Sequence, residues 1–304
     1  MGVMDSSLAR PRSRLGETLG AYVALTKPRI ISLLLITTVP AMILAEGGMP
    51  SFWLVAATVV GGTLAAGGAN AINCYIDRDI DAVMHRTRGR PLPLGIVQPS
   101  HAIAFALVLE VLAFLLLLAT SNLLAAVLAV SATAYYVFVY TMWLKRTTPQ
   151  NIVIGGAAGA FPPLVGWAAV TGTVELPAVI LFLIVFAWTP PHFWALAIKY
   201  RDDYARANVP MMPVVATLDS TKSQMFWYAV ALLPVSLVLL VAADLGWIYA
   251  SAAVALGLLF VRETWRLRND DGAGSAMAVF RASVYYLGLL FVAVAADVLI
   301  LGSR

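Results

Sequence analysis

The chain has 304 residues, of which 61% are hydrophobic and only 12% charged, and its formal net charge is +4. A composition this apolar lies outside the range of soluble globular chains and makes the bilayer the natural solvent. The small net charge speaks against a nucleic-acid partner, and one cysteine, Cys74, excludes an internal disulfide and the paired-thiol patterns of zinc or redox sites.

In chain order, residues 1–26 read as a cytoplasmic N-terminal segment carrying Arg10, Arg12, Arg14 and Glu17. Its opening, Met1-Gly2-Val3-Met4-Asp5-Ser6, fits the loose myristoylation pattern, although a chain with many spans needs no lipid anchor. Residues 27–304 read as a single transmembrane domain. The first long apolar run starts at Ile30 and has no small-residue cleavage site, so it is expected to be an uncleaved first helix. Runs of spanning length fall at 30–46, 52–72, 102–120, 123–143, 151–171, 177–198, 226–243, 247–262 and 282–301, nine in all. Stretches such as Glu46-Gly47-Gly48-Met49-Pro50 and Asn269-Asp270-Asp271-Gly272 separate them as connectors.

Lysine and arginine are retained on the cytoplasmic side. With the N-terminus inside and nine spans, nineteen of the twenty fall there, and only Arg304 lies outside. The expected fold is therefore an all-α membrane protein, N-terminus cytoplasmic and C-terminus outside.

This topology puts two acidic segments on one face. After the second span comes Asn73-Cys74-Tyr75-Ile76-Asp77-Arg78-Asp79-Ile80-Asp81, with Asn73, Asp77 and Asp81 at i, i+4 and i+8. On a continuing helix they stack on one side. Carboxylates so spaced repel unless a cation lies between them, and Mg²⁺ suits such a site through one or two carboxylates plus phosphate oxygens. The basic run Arg86-Thr87-Arg88-Gly89-Arg90 follows, and arginine binds phosphate bidentately. After the sixth span comes Lys199-Tyr200-Arg201-Asp202-Asp203-Tyr204. A helix ending in acid, repeated after four spans, predicts two similar halves facing one another across a central cavity.

On these residues the chain resembles the intramembrane aromatic prenyltransferase superfamily. Four stretches resemble its haem branch, the protohaem IX farnesyltransferases or haem O synthases. They are Lys27-Pro28-Arg29-Ile30, Arg86 to Pro93, Thr148-Pro149-Gln150-Asn151 to Gly156, and Pro191-His192-Phe193-Trp194 through Asp203-Tyr204 to Pro213. The second Asp-x3-Asp motif of the wider superfamily is incomplete, because Lys199 stands four before Asp203.

The resemblance implies that farnesyl diphosphate binds through Mg²⁺ on Asn73, Asp77, Asp81 and Asp203. Lys27, Arg29, Arg86, Arg90, Lys199, Tyr204 and His192 are the implied substrate-binding residues, and haem B is the acceptor. It further implies haem O as product and a bacterial inner-membrane location. Membrane lipid, with a haem A synthase or terminal oxidase assembly proteins, completes the expected partners. His192 is an ionisable group at membrane depth and a candidate ligand of haem iron, against the alternative of a hydrogen-bonded histidine in a helix kinked at Pro190-Pro191. Glu110 and Asp297 also lie within spans, where interhelical hydrogen bonding is the default role. Two rival functions stand beside this one: prenylation of a quinone precursor or chlorophyll-like ring, and a transporter or cation carrier whose acids line a path.

Overall fold

The computed structural model describes residues 14–270 and 273–302; the N-terminal pattern Met1 to Ser6, Arg10, Arg12 and Arg304 lie outside them. All regular secondary structure among the described residues is helical. The long helices are α2 (Pro28–Glu46), α3 (Phe52–Ile76), α5 (Pro99–Thr120), α6 (Leu123–Thr147), α7 (Asn151–Thr171), α8 (Leu176–Lys199), α11 (Leu218–Ala242), α12 (Trp247–Arg268) and α13 (Ala273–Leu301). Shorter helices are α1 (Arg14–Thr26), α4 (Arg78–Val83), α9 (Arg201–Arg206) and α10 (Met212–Val215). Among the described residues eight helices are long and apolar enough to cross a bilayer, α3, α5 to α8 and α11 to α13. The first expected span is the 19-residue helix α2.

Several helices outrun their apolar windows: α11 begins at Leu218 rather than 226, α12 continues to Arg268, and α13 begins at Ala273. Charged residues end a hydrophobic window without ending a helix, because long basic side chains reach water from the membrane edge. Residues 14–26 form a helix where only a segment was expected. It buries Ala21 and Leu25, sets Tyr22 edge-on to Phe105 at 5.0 Å, and accepts at its Thr26 carbonyl a 3.0 Å hydrogen bond from Asn70 Nδ2.

Small residues let the helices approach, as packing rather than water exclusion drives association in lipid. Ala65, Ala113, Ala126 and Ala129 are buried between α3, α5 and α6, whereas Leu107, Val108, Val111 and Leu115 of α5 are exposed to the surroundings. A Cβ on Gly155 would stand 2.2 Å from the Tyr140 ring, and one on Gly156 would stand 2.7 Å from Thr189 Cγ2. These two glycines therefore seat α7 between α6 and α8.

The two intramembrane acids are explained by packing. Glu110 Oε1 accepts from Thr133 Oγ1 at 3.1 Å, against Gly68, where a Cβ would come within 2.5 Å of that oxygen. Asp297, 2% exposed, caps α12 from α13: Oδ1 accepts from Gly246 N at 2.6 Å and Oδ2 from Tyr249 N at 2.8 Å. It satisfies helix-end donors that the bilayer cannot. Asp297→Ala is expected to destabilise the fold by about 1–3 kcal/mol, read as a lower thermal midpoint in detergent. An unchanged midpoint would show that the cap is dispensable.

Candidate active site at the acidic ends of two helices

Helix α3 ends at Ile76, Asp77 stands at the junction (φ −85, ψ 8), and α4 follows directly. The backbone ladder survives the junction, with Asp77 N bonded to Asn73 O at 2.9 Å and Asp81 N to Asp77 O at 2.8 Å. Asn73, Asp77 and Asp81 therefore keep the expected stack, and all three are buried at 3%, 0% and 2% exposure. A second copy of this arrangement ends α8: one break residue, Tyr200 (φ −107, ψ 26), then the six-residue α9. Both short helices open with Arg-Asp, as Arg78-Asp79 and Arg201-Asp202. The halves thus repeat in secondary structure where their sequences barely agree.

Buried carboxylates require partners. Asn73 Nδ2 donates to Asp77 Oδ2 at 2.8 Å, and Lys145 Nζ donates to the same oxygen. Arg146 approaches Asp77 Oδ1 at 3.6 Å and forks onto Asp79, with 2.8 Å to each oxygen. That fork holds the Asp79 carboxyl down to about 2. Arg90 Nη1 bonds both Asp81 oxygens at 2.8 and 2.7 Å.

Lys27, in the left-handed region (φ 53, ψ 60), precedes Pro28 at the start of α2. A non-glycine residue there carries about 1–2 kcal/mol of strain. The conformation delivers Nζ to Asn73 Oδ1 at 2.7 Å. Burial lowers the Lys27 ammonium to about 8.

The second segment joins the first through the loop after α4. Asp203, 6% exposed, accepts from His85 N at 3.3 Å and Arg86 N at 3.1 Å, and from Arg206. Burial works against its charge, but these N–H groups and Arg206 hold its carboxyl below the usual range. Arg86 and Lys199 both lie 5.3 Å from the Tyr200 ring centroid. One loop thus grips Asp81 with Arg90 and Asp203 with its backbone.

Other expected residues sit apart from this cluster. Arg29 is exposed. Tyr204 packs against the main apolar core. His192 is buried, with its ring stacked between Trp188 at 4.1 Å and Phe280 at 4.7 Å, and Nδ1 lies 2.7 Å from Ser283 Oγ. Helix α8 runs through Pro190-Pro191 without interruption.

Sequence reasoning missed the contribution of α6. Residues Tyr135–Leu144 are wound as a π-helix, a wider turn common at functional sites. Thr141, 0% exposed, accepts from Asn73 Nδ2 at 3.1 Å and donates to Tyr136 O, five residues back, at 2.9 Å. The same winding brings Lys145 to Asp77 and stacks Tyr136 on Tyr140 at 5.4 Å. The only sequence signal was Lys145-Arg146, which topology alone accounted for.

The donor set suits a hard divalent cation. Asp77 Oδ1 is buried without a hydrogen-bond partner, and the stack offers two carboxylates and a carboxamide oxygen. Among the described residues no three or more histidine, cysteine or acidic side chains converge. With so few protein donors, Mg²⁺ would take the remainder of its ligands from phosphate oxygens and water.

A polytopic helical fold with paired acidic helix ends on one face, bridged by an arginine loop, defines a membrane enzyme class. The chain belongs to the UbiA prenyltransferase family, whose sequence profile matches residues 34–295. It is 52% identical over 299 residues to the protohaem IX farnesyltransferase of Parafrankia sp. (strain EAN1pec), with 96% of each chain covered. It is 53% identical over 293 residues to the protohaem IX farnesyltransferase of Gloeobacter violaceus, again with 96% of each covered. Among solved structures it resembles a digeranylgeranylglyceryl phosphate synthase at TM-score 0.76 and 19% identity, covering 93% of this chain and 99% of that one. A UbiA homologue from Archaeoglobus fulgidus bound to GPP and Mg²⁺ matches at TM-score 0.64 and 14% identity, covering 90% and 99%.

Proposed function

We propose that this protein transfers a farnesyl group from farnesyl diphosphate to a vinyl group of haem B, with addition of water, giving haem O. The observation that supports the site assignment is the loop from Met84 to Arg90, which bonds Asp81 through the Arg90 side chain and Asp203 through the Arg86 amide. The acceptor rests on the likeness to the haem-specific relatives over nearly the whole chain.

Asn73, Asp77, Asp81 and Asp203 are the residues that would hold Mg²⁺. Bound there, the ion would supply positive charge to the departing diphosphate. Lys27, Arg86, Arg90 and Lys145 supply fixed positive charge where negative charge grows on the leaving group, and Arg29 and Lys199 are assigned to substrate binding outside this set. The C1–O bond breaks, and its electron pair leaves with the diphosphate. The allylic cation takes the π electrons of a haem vinyl group, which forms a C–C bond. The resulting cation beside the porphyrin adds water and loses a proton. Buried helix ends keep water from capturing the first cation early.

His192 belongs to the acceptor's side of this reading. Ser283 Oγ donates to Phe280 O at 2.7 Å, so toward His192 it accepts, and the imidazole proton sits on Nδ1. Nε2 then carries the lone pair that would meet haem iron. Tyr204 is assigned to the prenyl donor, and the acidic face to the cytoplasmic side of a bacterial inner membrane, as nineteen of the twenty basic residues favour.

The test is purified protein with Mg²⁺, haem B and farnesyl diphosphate, the product read by mass spectrometry. Haem O is the expected mass. Prenylation of a quinone precursor with none of haem would overturn the assignment of the acceptor.

A further inference from the structure

On the outer side of the acids a cleft of about 300 Å³ is lined by Asp79, Ile80, Val83, Arg146, Arg206 and Asn208. Its two arginines come from opposite halves, Arg146 from the end of α6 and Arg206 from the end of α9. Each touches a proposed catalytic acid on one side and the cleft on the other. Arg146 stands 3.6 Å from Asp77 while forked onto Asp79, and Arg206 is paired with Asp203. The Arg146, Arg206 and Asp79 side chains are 36%, 55% and 62% exposed. Only the Arg146–Asp79 pair is exposed on both sides, whereas Arg206 is open to water on the side away from buried Asp203, and a guanidinium fork accepts phosphate oxygens with the same geometry as carboxylate. Two arginines against one aspartate leave the lining positive.

We propose that this cleft is a second, outer station for inorganic diphosphate. After prenyl transfer the diphosphate passes from the inner acids to Arg146 and Arg206, which exchange carboxylate for phosphate oxygens, and leaves to water from there. No bond is made or broken in this step. The inference rests on the prenyl-diphosphate reading of the inner site and adds a site outside it.

Inhibition of haem O formation by inorganic diphosphate, at fixed free Mg²⁺ and varied farnesyl diphosphate, tests it. A ligand confined to the inner site of the free enzyme is purely competitive, and the binding stoichiometry below separates rebinding at that site beside bound product from an outer station. An outer station open while the donor is bound also lowers the maximal rate, so wild type should show mixed inhibition. Arg206→Gln should weaken the effect on maximal rate at least ten-fold. Asp79→Asn, which frees Arg146 and removes a like charge, should strengthen it several-fold. Purely competitive inhibition of wild type, or no change in either variant, would overturn the station. Equilibrium binding of radiolabelled inorganic diphosphate reads the same point without turnover: two per chain in wild type and one in Arg206→Gln are expected. One per chain in both sinks the outer site. Absence of haem O from wild type with that stoichiometry intact counts against the inner-site reading alone.

Discussion

Asp77→Ala is expected to reduce haem O formation by about a thousand-fold, the scale on which removal of a central electrostatic group acts. Asp77 is 0% exposed and is the acid on which most of the site converges: Asn73, Lys145 and Arg146 all reach it. Its removal also leaves Lys145, whose side chain is 13% exposed, without its partner. Breaking such a pair destabilises by about 3–5 kcal/mol. Asp77→Asn separates the two effects, because it keeps the volume and one acceptor oxygen for Asn73 and Lys145 but loses the charge and the second acceptor. Its thermal midpoint should lie nearer wild type while its activity stays near that of the alanine variant. More than a tenth of wild-type haem O formation in either variant would exclude Asp77 from the metal and diphosphate site.

Asp203→Ala should act through the loop as well as the site. The carboxylate is the only described acid that accepts backbone N–H groups of the loop, from His85 and Arg86. Without it, Arg86 and Arg90 lose their common anchor, although Arg90 keeps its fork on Asp81. The expected result is a fall of about a hundred-fold in kcat/KM for farnesyl diphosphate, or about 2.7 kcal/mol. Faster hydrogen exchange over residues 84–90 should accompany it. Loss of activity with unchanged exchange would mean that Asp203 serves only the ligand, and unchanged activity would remove it from the machinery.

Much of this was legible in the chain itself. Apolar windows located the long helices because transfer of each residue into lipid is a local property, independent of its neighbours in space. The register of Asn73, Asp77 and Asp81 was legible because helical periodicity continues across the Asp77 junction. The limits had one local cause and one that is not local. Charged ends masked the true starts of α11 and α13, and residues 14–26 lacked a long apolar run, so their helix rested on contacts with α3 and α5 that no window reveals.

By itself, the sequence determined a membrane-embedded helical chain, an acidic stack at i, i+4 and i+8, and a basic run beside it, since all three follow from composition and spacing. Tertiary structure decided which cation meets which acid. Lys145 reaches Asp77 because α6 is wound as a π-helix there, Lys27 reaches Asn73 because its backbone is left-handed, and Asp203 enters the site because a distant loop offers it two N–H groups. Tertiary structure also assigned Asp297 to a helix cap rather than to chemistry. Such pairings join residues tens of positions apart, and only the packing of helices sets the distances on which electrostatic and hydrogen-bond energies depend.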